Sequence, residues 1–211
     1  MSVGIIDYGV GNLGSILGAM KRIGVAAKII DEVGMASDCS KLILPGVGNF
    51  SECKFQLDKR GWTEALKASV CYEKKPLLGI CVGMQLMFTR GTEGAVGRTY
   101  TEGLGFFNGT VDFLPSLGFK MKVPHVGWNS ILTKQNSELL TGVESETDFY
   151  FVHSYAACPD DADIIIATCE YGVTFPVAFN YENCWGVQFH PEKSSKAGLK
   201  ILENFSGAVG A

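Results

Sequence analysis

Four short apolar runs, each followed by a polar or helix-like segment, fill the first half of the chain, and this alternation restricts the fold more than any other feature. "SVGIID" (2–7), "VAAKII" (25–30), "KLILPG" (41–46) and "PLLGIC" (76–81) read as strands. Between the first two, Asn12 is placed to cap a helix whose Leu13, Ile16, Leu17 and Met20 share one face, with Lys21, Arg22 and Gly24 at its end. "GWTEALKASVCYEK" (61–74) reads as a second helix, and the fourth strand is expected to run directly into a third, Val82 to Phe88. Strands that alternate with helices form a parallel sheet covered on both faces, and such a sheet places its chemistry at the carboxyl ends of its strands.

The second half changes character. "LGFFNGTVDFL", "FKMKVPHVGW", "DFYFVHSY", "ADIIIATCEYG", "FPVAFNY" and "CWGVQFHPE" follow one another closely, joined by Gly, Asn, Pro and Asp, the pattern of hairpins. A last helix is expected near Ser195 to Phe205. No linker, repeat or low-complexity stretch divides the halves, so the chain reads as a single domain over 1–211 whose β-rich half extends or packs on the parallel sheet. With 46% hydrophobic and 19% charged residues the composition excludes disorder, and a net charge of -4 argues against a general surface for nucleic acid or anionic membrane. The longest apolar run, around Cys81, falls short of the roughly 20 residues that span a bilayer. Asp7 among the first apolar residues, with no basic stretch before them, argues against a secretory signal and for the cytoplasm.

The 7 cysteines are scattered and contain no Cys-x-x-Cys pair, which fits neither a disulfide framework nor a metal site. Six read as small buried hydrophobes. Cys81 differs, because Gly79-Ile80-Cys81-Val82-Gly83 has the layout of a nucleophile elbow between strand and helix, with sulfur in place of oxygen. In a glycine-rich chain the same spacing also arises by accident. Of the 3 histidines, His125 and His153 sit in aromatic, strand-like contexts and read as structural. His190 ends an apolar run, and Pro191 keeps it extended, so that Glu192 faces the same way and can orient its imidazole. A surface turn with a paired glutamate is the plain alternative. "PGVG" (45–48) ends a strand with glycines whose amides can turn toward an oxyanion, and the amide of Val82 is the natural second donor. Alone it is also an ordinary strand-to-helix turn.

Taken together, "LPGVGNF", "LGICVGMQL" and "GVQFHPEKS" resemble the motifs of the class I, triad-type glutamine amidotransferases, and "IDYGVGNLGS", "PHVGWN", "YFVHSY" and "FHPEKSS" are similar to the glutaminase subunits of imidazole glycerol phosphate synthases of histidine biosynthesis. The resemblance spans almost the whole chain. It implies a three-layer α/β/α fold with a mixed, mainly parallel central sheet, and hydrolysis of glutamine to glutamate and ammonia without metal or cofactor. The ammonia would pass to a (β/α)8-barrel cyclase in a heterodimer. Carried over by position, it implies Cys81 as nucleophile, His190 as base and then acid, Glu192 as orienter, and Val47 and Val82 as oxyanion donors. Gly48, Gln85, Glu93, Ser154 and Tyr155 would hold the glutamine, with Glu93 facing its α-ammonium. Asn12, Trp128, Asn129, Tyr150 and Lys193 would lie at the partner interface. The same motifs would suit a glutaminase feeding another acceptor, such as surface sugars. A non-catalytic subunit on this scaffold would not need the Cys, His and Glu, and "FHPEKSS" fits a thiol peptidase poorly.

Overall fold

A computed structural model describes residues 2–97 and 99–207; Met1 and 208–211, the ends of the expected 1–211 domain, lie outside the described residues. The four expected strands are present as β1 (Val3–Ile6), β2 (Ala27–Ile30), β3 (Lys41–Leu44) and β4 (Leu77–Ile80). They pair in parallel, and β13 (Cys184–Val187), from the far end of the chain, joins them beside β4. From there the sheet continues antiparallel through β12 (Thr174–Tyr181), β11 (Ile165–Glu170), β8 (His125–Thr133) and β9 (Thr147–His153). The result is one mixed sheet in the order β2-β1-β3-β4-β13-β12-β11-β8-β9. Helix α1 (Leu13–Arg22) packs against the C-terminal α5 (Ser195–Gly207), while α2 (Phe50–Lys59) packs against α3 (Trp62–Lys67) and α4 (Val82–Leu86).

A second sheet, in the order β10 (Tyr155–Pro159), β7 (Phe107–Phe113), β5 (Phe88–Gly91) and β6 (Thr101–Glu102), packs on the first rather than extending it; β7 and β10 come from the β-rich half, while β5 and β6 precede it. Phe88 and Phe107 of this sheet close on Phe179 of β12, edge-on for the Phe88–Phe179 pair at 5.1 Å. All three rings are buried, and each contributes on the order of 2 kcal/mol of apolar burial.

Three local expectations are corrected. The helix after Cys81 ends at Leu86 rather than Phe88, since Phe88 opens β5; a continuously apolar run does not by itself tell helix from strand. Asn12 does stand at the start of α1, but its side chain makes no capping hydrogen bond. The helix expected over 61–74 is regular only to Lys67 and then widens into a π-type turn over Ala68–Tyr72.

Candidate active site

At Cys81 the chain leaves β4 with φ +53° and ψ -116°, a conformation costly for a residue with a Cβ. Two backbone contacts explain why glycine flanks this turn. A Cβ on Gly83 would run into the carbonyl of Leu44, and one on Gly46 would meet the backbone of Val82 at 2.8 Å. The elbow and the "PGVG" loop therefore touch main chain to main chain, which only glycine permits at both positions. On the other side, Gly79 carries no side chain because the backbone of Met84 lies 2.6 Å from where its Cβ would be. That lets α4 sit directly on the sheet, with its first residue Val82 beside the sulfur.

Register brings the far end of the chain to the same place. β13 pairs with β4 in parallel, Gly186 opposite Gly79 and Val187 opposite Ile80, and the amide of Cys81 donates to Val187 O at 2.8 Å. Residues 188–190 thus emerge alongside the elbow. His190 is extended (φ -100°, ψ 96°), and its Nδ1 lies 2.8 Å from Glu192 Oε1, with both side chains almost wholly buried. Its main chain is fixed from both sides by β9. The His190 amide donates to Tyr150 O at 2.9 Å, and Ser194 Oγ donates to His190 O at 2.6 Å while accepting from the Tyr150 amide at 3.0 Å. His190 Nε2 is buried with no hydrogen-bond partner, the nitrogen left over for a reacting group. Burial alone would push this imidazole down. Cys81 and Glu192 outweigh it and hold its pKa at about 9.

The other two histidines are held in the opposite state. Tyr155 O can only accept, so His153 Nδ1, 2.8 Å away, carries a proton. Its Nε2 then accepts from His125 Nδ1 at 2.9 Å, and His125 Nε2 accepts from Asn129 Nδ2 at 3.4 Å. Burial without a carboxylate lowers His125 to about 4 and His153 to about 3. His125 is further clamped between the rings of Tyr171 and Phe151. Both are structural, as their contexts suggest.

A pocket of about 290 Å3 opens at the carboxyl ends of β3, β4 and β13, lined by Val47, Gly48, Cys81, Val82, Gln85, Glu93, Ser154, Tyr155 and His190, with Val152, His153 and Lys193 completing the wall. Every residue expected to hold glutamine or its oxyanion lines this pocket, and Glu192 stands behind His190. Glu93 accepts from the amide of Phe50 at 2.8 Å, at the start of α2; burial raises its pKa, partly offset by that bond. The "PGVG" loop is held by two buried groups, Tyr8 Oη donating to Pro45 O at 2.8 Å and Cys53 Sγ to Val47 O at 3.4 Å. At the pocket mouth Lys193 Nζ lies 5.6 Å over the Tyr150 ring, and Tyr150 meets Trp128 edge-on at 6.1 Å. Val126 and Val152, paired across β8 and β9, are exposed on the same stripe. α1, which Asn12 begins, packs on the Pro191–Lys193 turn. Asn129 alternates to the opposite face of β8, where its Nδ2 also donates to Glu170 O at 2.9 Å. Among the described residues no group of His, Cys, Asp or Glu gathers to hold a metal ion.

A sulfur and an imidazole share one glycine-framed pocket, with a buried carboxylate bonded to the imidazole, the set of groups that a nucleophile, a base and its orienter require. The model of the family "Glutamine amidotransferase class-I" matches residues 5–208. The chain belongs to this family. Among its relatives is the imidazole glycerol phosphate synthase subunit HisH of Caldanaerobacter subterraneus subsp. tengcongensis, 45% identical over 208 residues that cover 98% of each chain. The subunit of the same name from Desulfitobacterium hafniense (strain DSM 10664 / DCB-2) is 41% identical over 203 residues, covering 96% of this chain and 92% of the relative. A crystal structure titled glutamine amidotransferase superposes with a TM-score of 0.74 over 98% of this chain and 99% of the other, at 20% identity. The PurLQS structure from Thermotoga maritima gives 0.69 over 97% of this chain and 96% of that one, at 16% identity. At such identities the two structures speak for the fold alone, which this class-I amidotransferase shares with them.

One residue of the pocket wall, Val152, and one buried behind it against the Cys81 sulfur, Gln188, escaped the sequence. Val152 and Gln188 sit in motifs already singled out, "YFVHSY" and "GVQFHPE", but neither carries a charge or a nucleophile to mark it. The register of β13 on β4 is what reveals Gln188.

Proposed function

We propose that this chain is the glutaminase subunit of an imidazole glycerol phosphate synthase, hydrolysing L-glutamine to glutamate and ammonia for a cyclase subunit in histidine biosynthesis. The observation that carries it is the buried His190–Glu192 pair beside Cys81, in a chain whose relatives at 41% and 45% identity bear that subunit's name. His190 takes the thiol proton as Cys81 Sγ attacks the carboxamide carbon. The oxygen becomes an anion directed at the amides of Val47 and Val82. Collapse of this intermediate breaks the C–N bond, and the proton on His190 leaves with ammonia. Water, deprotonated by His190, then cleaves the thioester, releasing glutamate and restoring the thiol. Gly48, Gln85, Ser154 and Tyr155 hold the glutamine, and Glu93 faces its α-ammonium.

Ammonia released into water near neutral pH is largely protonated and no longer nucleophilic, so the cyclase has to cover the site. The cyclase, a (β/α)8 barrel, docks on the exposed Val126, Trp128, Val152 and Lys193 with the half-buried Tyr150, beside the helix that Asn12 begins; Asn129, on the opposite face of β8, supports that strand from behind. The 7 unpaired cysteines suit the reducing cytoplasm, and among the described residues no helix is long and apolar enough to cross a membrane.

Steady-state glutamate release from the free chain, from its complex with a barrel cyclase, and from the complex with the cyclase's own substrate tests this reading. The rate is expected to rise by about 10²-fold or more in the last case, the scale of one oxyanion donor. Lys193→Ala should weaken that activation. Full activity in the free chain, or no response to the cyclase, would point to another acceptor for the ammonia.

A further inference from the structure

The orientations of two buried side-chain amides, Gln85 in the pocket wall and Gln188 behind it, are forced one by one. Tyr155 O accepts from His153 Nδ1 at 2.8 Å and has room for one more donor, so Gln85, 3.1 Å away, presents its Nε2. The second hydrogen of that NH2 goes to Gln188, 3.0 Å away, which therefore turns its Oε1 toward Gln85. Gln188 is then left with its Nε2 on the other side, and the atom it meets is Cys81 Sγ, at 3.7 Å. Both glutamines are buried, Gln188 at 1% exposure, and the Gln188 backbone is tied to β12 by its amide donating to Val177 O at 2.8 Å. No rearrangement of this amide keeps every buried partner satisfied.

The sulfur's other partner behaves differently. As a thiol, Cys81 donates to Val152 O at 3.9 Å; once the proton leaves, that carbonyl has nothing to accept and faces a negative charge. The Gln188 N–H, by contrast, binds an anion more strongly than a neutral sulfur.

We propose that Gln188 is a catalytic residue, donating its amide hydrogen to the Cys81 sulfur whenever that atom carries negative charge. The inference rests on the reading of Cys81 as the nucleophile. The donor acts twice in the cycle: before attack, when the S–H proton has moved to His190, and during thioester hydrolysis, when the C–S bond breaks and its electron pair returns to sulfur. Oxyanion donors act on the substrate oxygen, so their contribution is separate.

The test uses the full chain, iodoacetamide as the probe, and mass spectrometry to follow the Cys81 peptide. In Gln188→Met, which keeps the volume and loses the donor, alkylation at pH 7 is expected to slow by about tenfold, the scale of one hydrogen bond to a charged group. The gap should close as the pH is raised until every thiol is ionised, a behaviour that mere loosening of the pocket would not produce. Glutamine kcat should fall by a similar factor with little change in KM. Gln188→Leu gives the same readings should the methionine variant fail to fold. Variants alkylated at the wild-type rate overturn the inference, whether or not kcat falls, because a lower kcat alone would mean that Gln188 acts only by packing on Gln85. If Cys81 of the wild-type chain is alkylated at pH 7 no faster than the other buried thiols, it is the nucleophile reading that fails.

Discussion

His190, just past the end of β13, and the His125–His153 pair, across β8 and β9, are all buried, yet His190 is held at about 9 and the pair at about 4 and about 3. Desolvation pulls all three in the same direction. What differs is the partner: His190 has the carboxylate of Glu192 at 2.8 Å and the sulfur of Cys81 nearby, while the pair has only a carbonyl and an amide side chain to bond. The same residue type is thus held ready to carry a proton at one place and kept as neutral joinery at the other, and a single carboxylate divides the two states.

The largest effect expected from breaking this contrast is at the charged site. His190→Asn should lower kcat for glutamine by about 10⁶, and Cys81→Ala comparably, since members of a triad act as a unit. His125→Phe, which preserves the aromatic stacking, should keep turnover and instead cost about 1–3 kcal/mol of stability by leaving His153 Nε2 without its donor. Equal loss of turnover in both variants, measured as glutamate release, would erase the distinction.

A step smaller is Glu192→Gln, expected to cost about 10⁴ in kcat. Because Glu192 helps to raise His190, the alkaline fall of activity, which should begin near pH 9 in the wild type, ought to move to lower pH in this variant. An unshifted limb would show that Glu192 does not set the proton affinity.

The two sites also predict opposite pH dependence of stability. An unfolded histidine titrates near 6.5. For the pair the folded values lie below this, so their contribution is complete above about pH 6.5 and is lost on acidification toward about 4 and about 3, at about 1.4 kcal/mol per histidine per pH unit. For His190 the folded value lies above it, so its contribution is complete below about 6.5 and is lost as pH rises through about 9. Denaturant midpoints across this range should therefore fall at both ends. The smallest and most pointed change is Asn129→Asp, which sets a carboxylate beside His125 Nε2. It should raise His125 and flatten the acid limb, turning part of the neutral pair toward the behaviour of His190.

The legibility of these two sites in the sequence was unequal for physical reasons. Glycine spacing around Cys81 and the His-Pro-Glu turn advertise themselves because backbone contact and a fixed φ leave few substitutes. The β-rich half could be read as hairpins but not assigned to two sheets, since period-two alternation says nothing about which partner a strand finds. Helix α2 is hard to read in the sequence. Its Glu52, Lys54, Asp58 and Lys59 blur the apolar face, although Asn49 caps it, accepting from the Glu52 amide at 3.2 Å. Gln188 stayed hidden because a buried amide shows its purpose only through the partners it is forced to choose.

Cys81 holds a backbone with positive φ, where a β-carbon costs about 1–3 kcal/mol. Cys81→Gly should accordingly melt higher than Cys81→Ala, and higher than the wild type if the thiol's packing is worth less than the strain. Selection for thermal robustness alone would thus push this position toward glycine. A cysteine stands here in spite of that cost, so the strain is a standing penalty on stability that only a use for the thiol offsets.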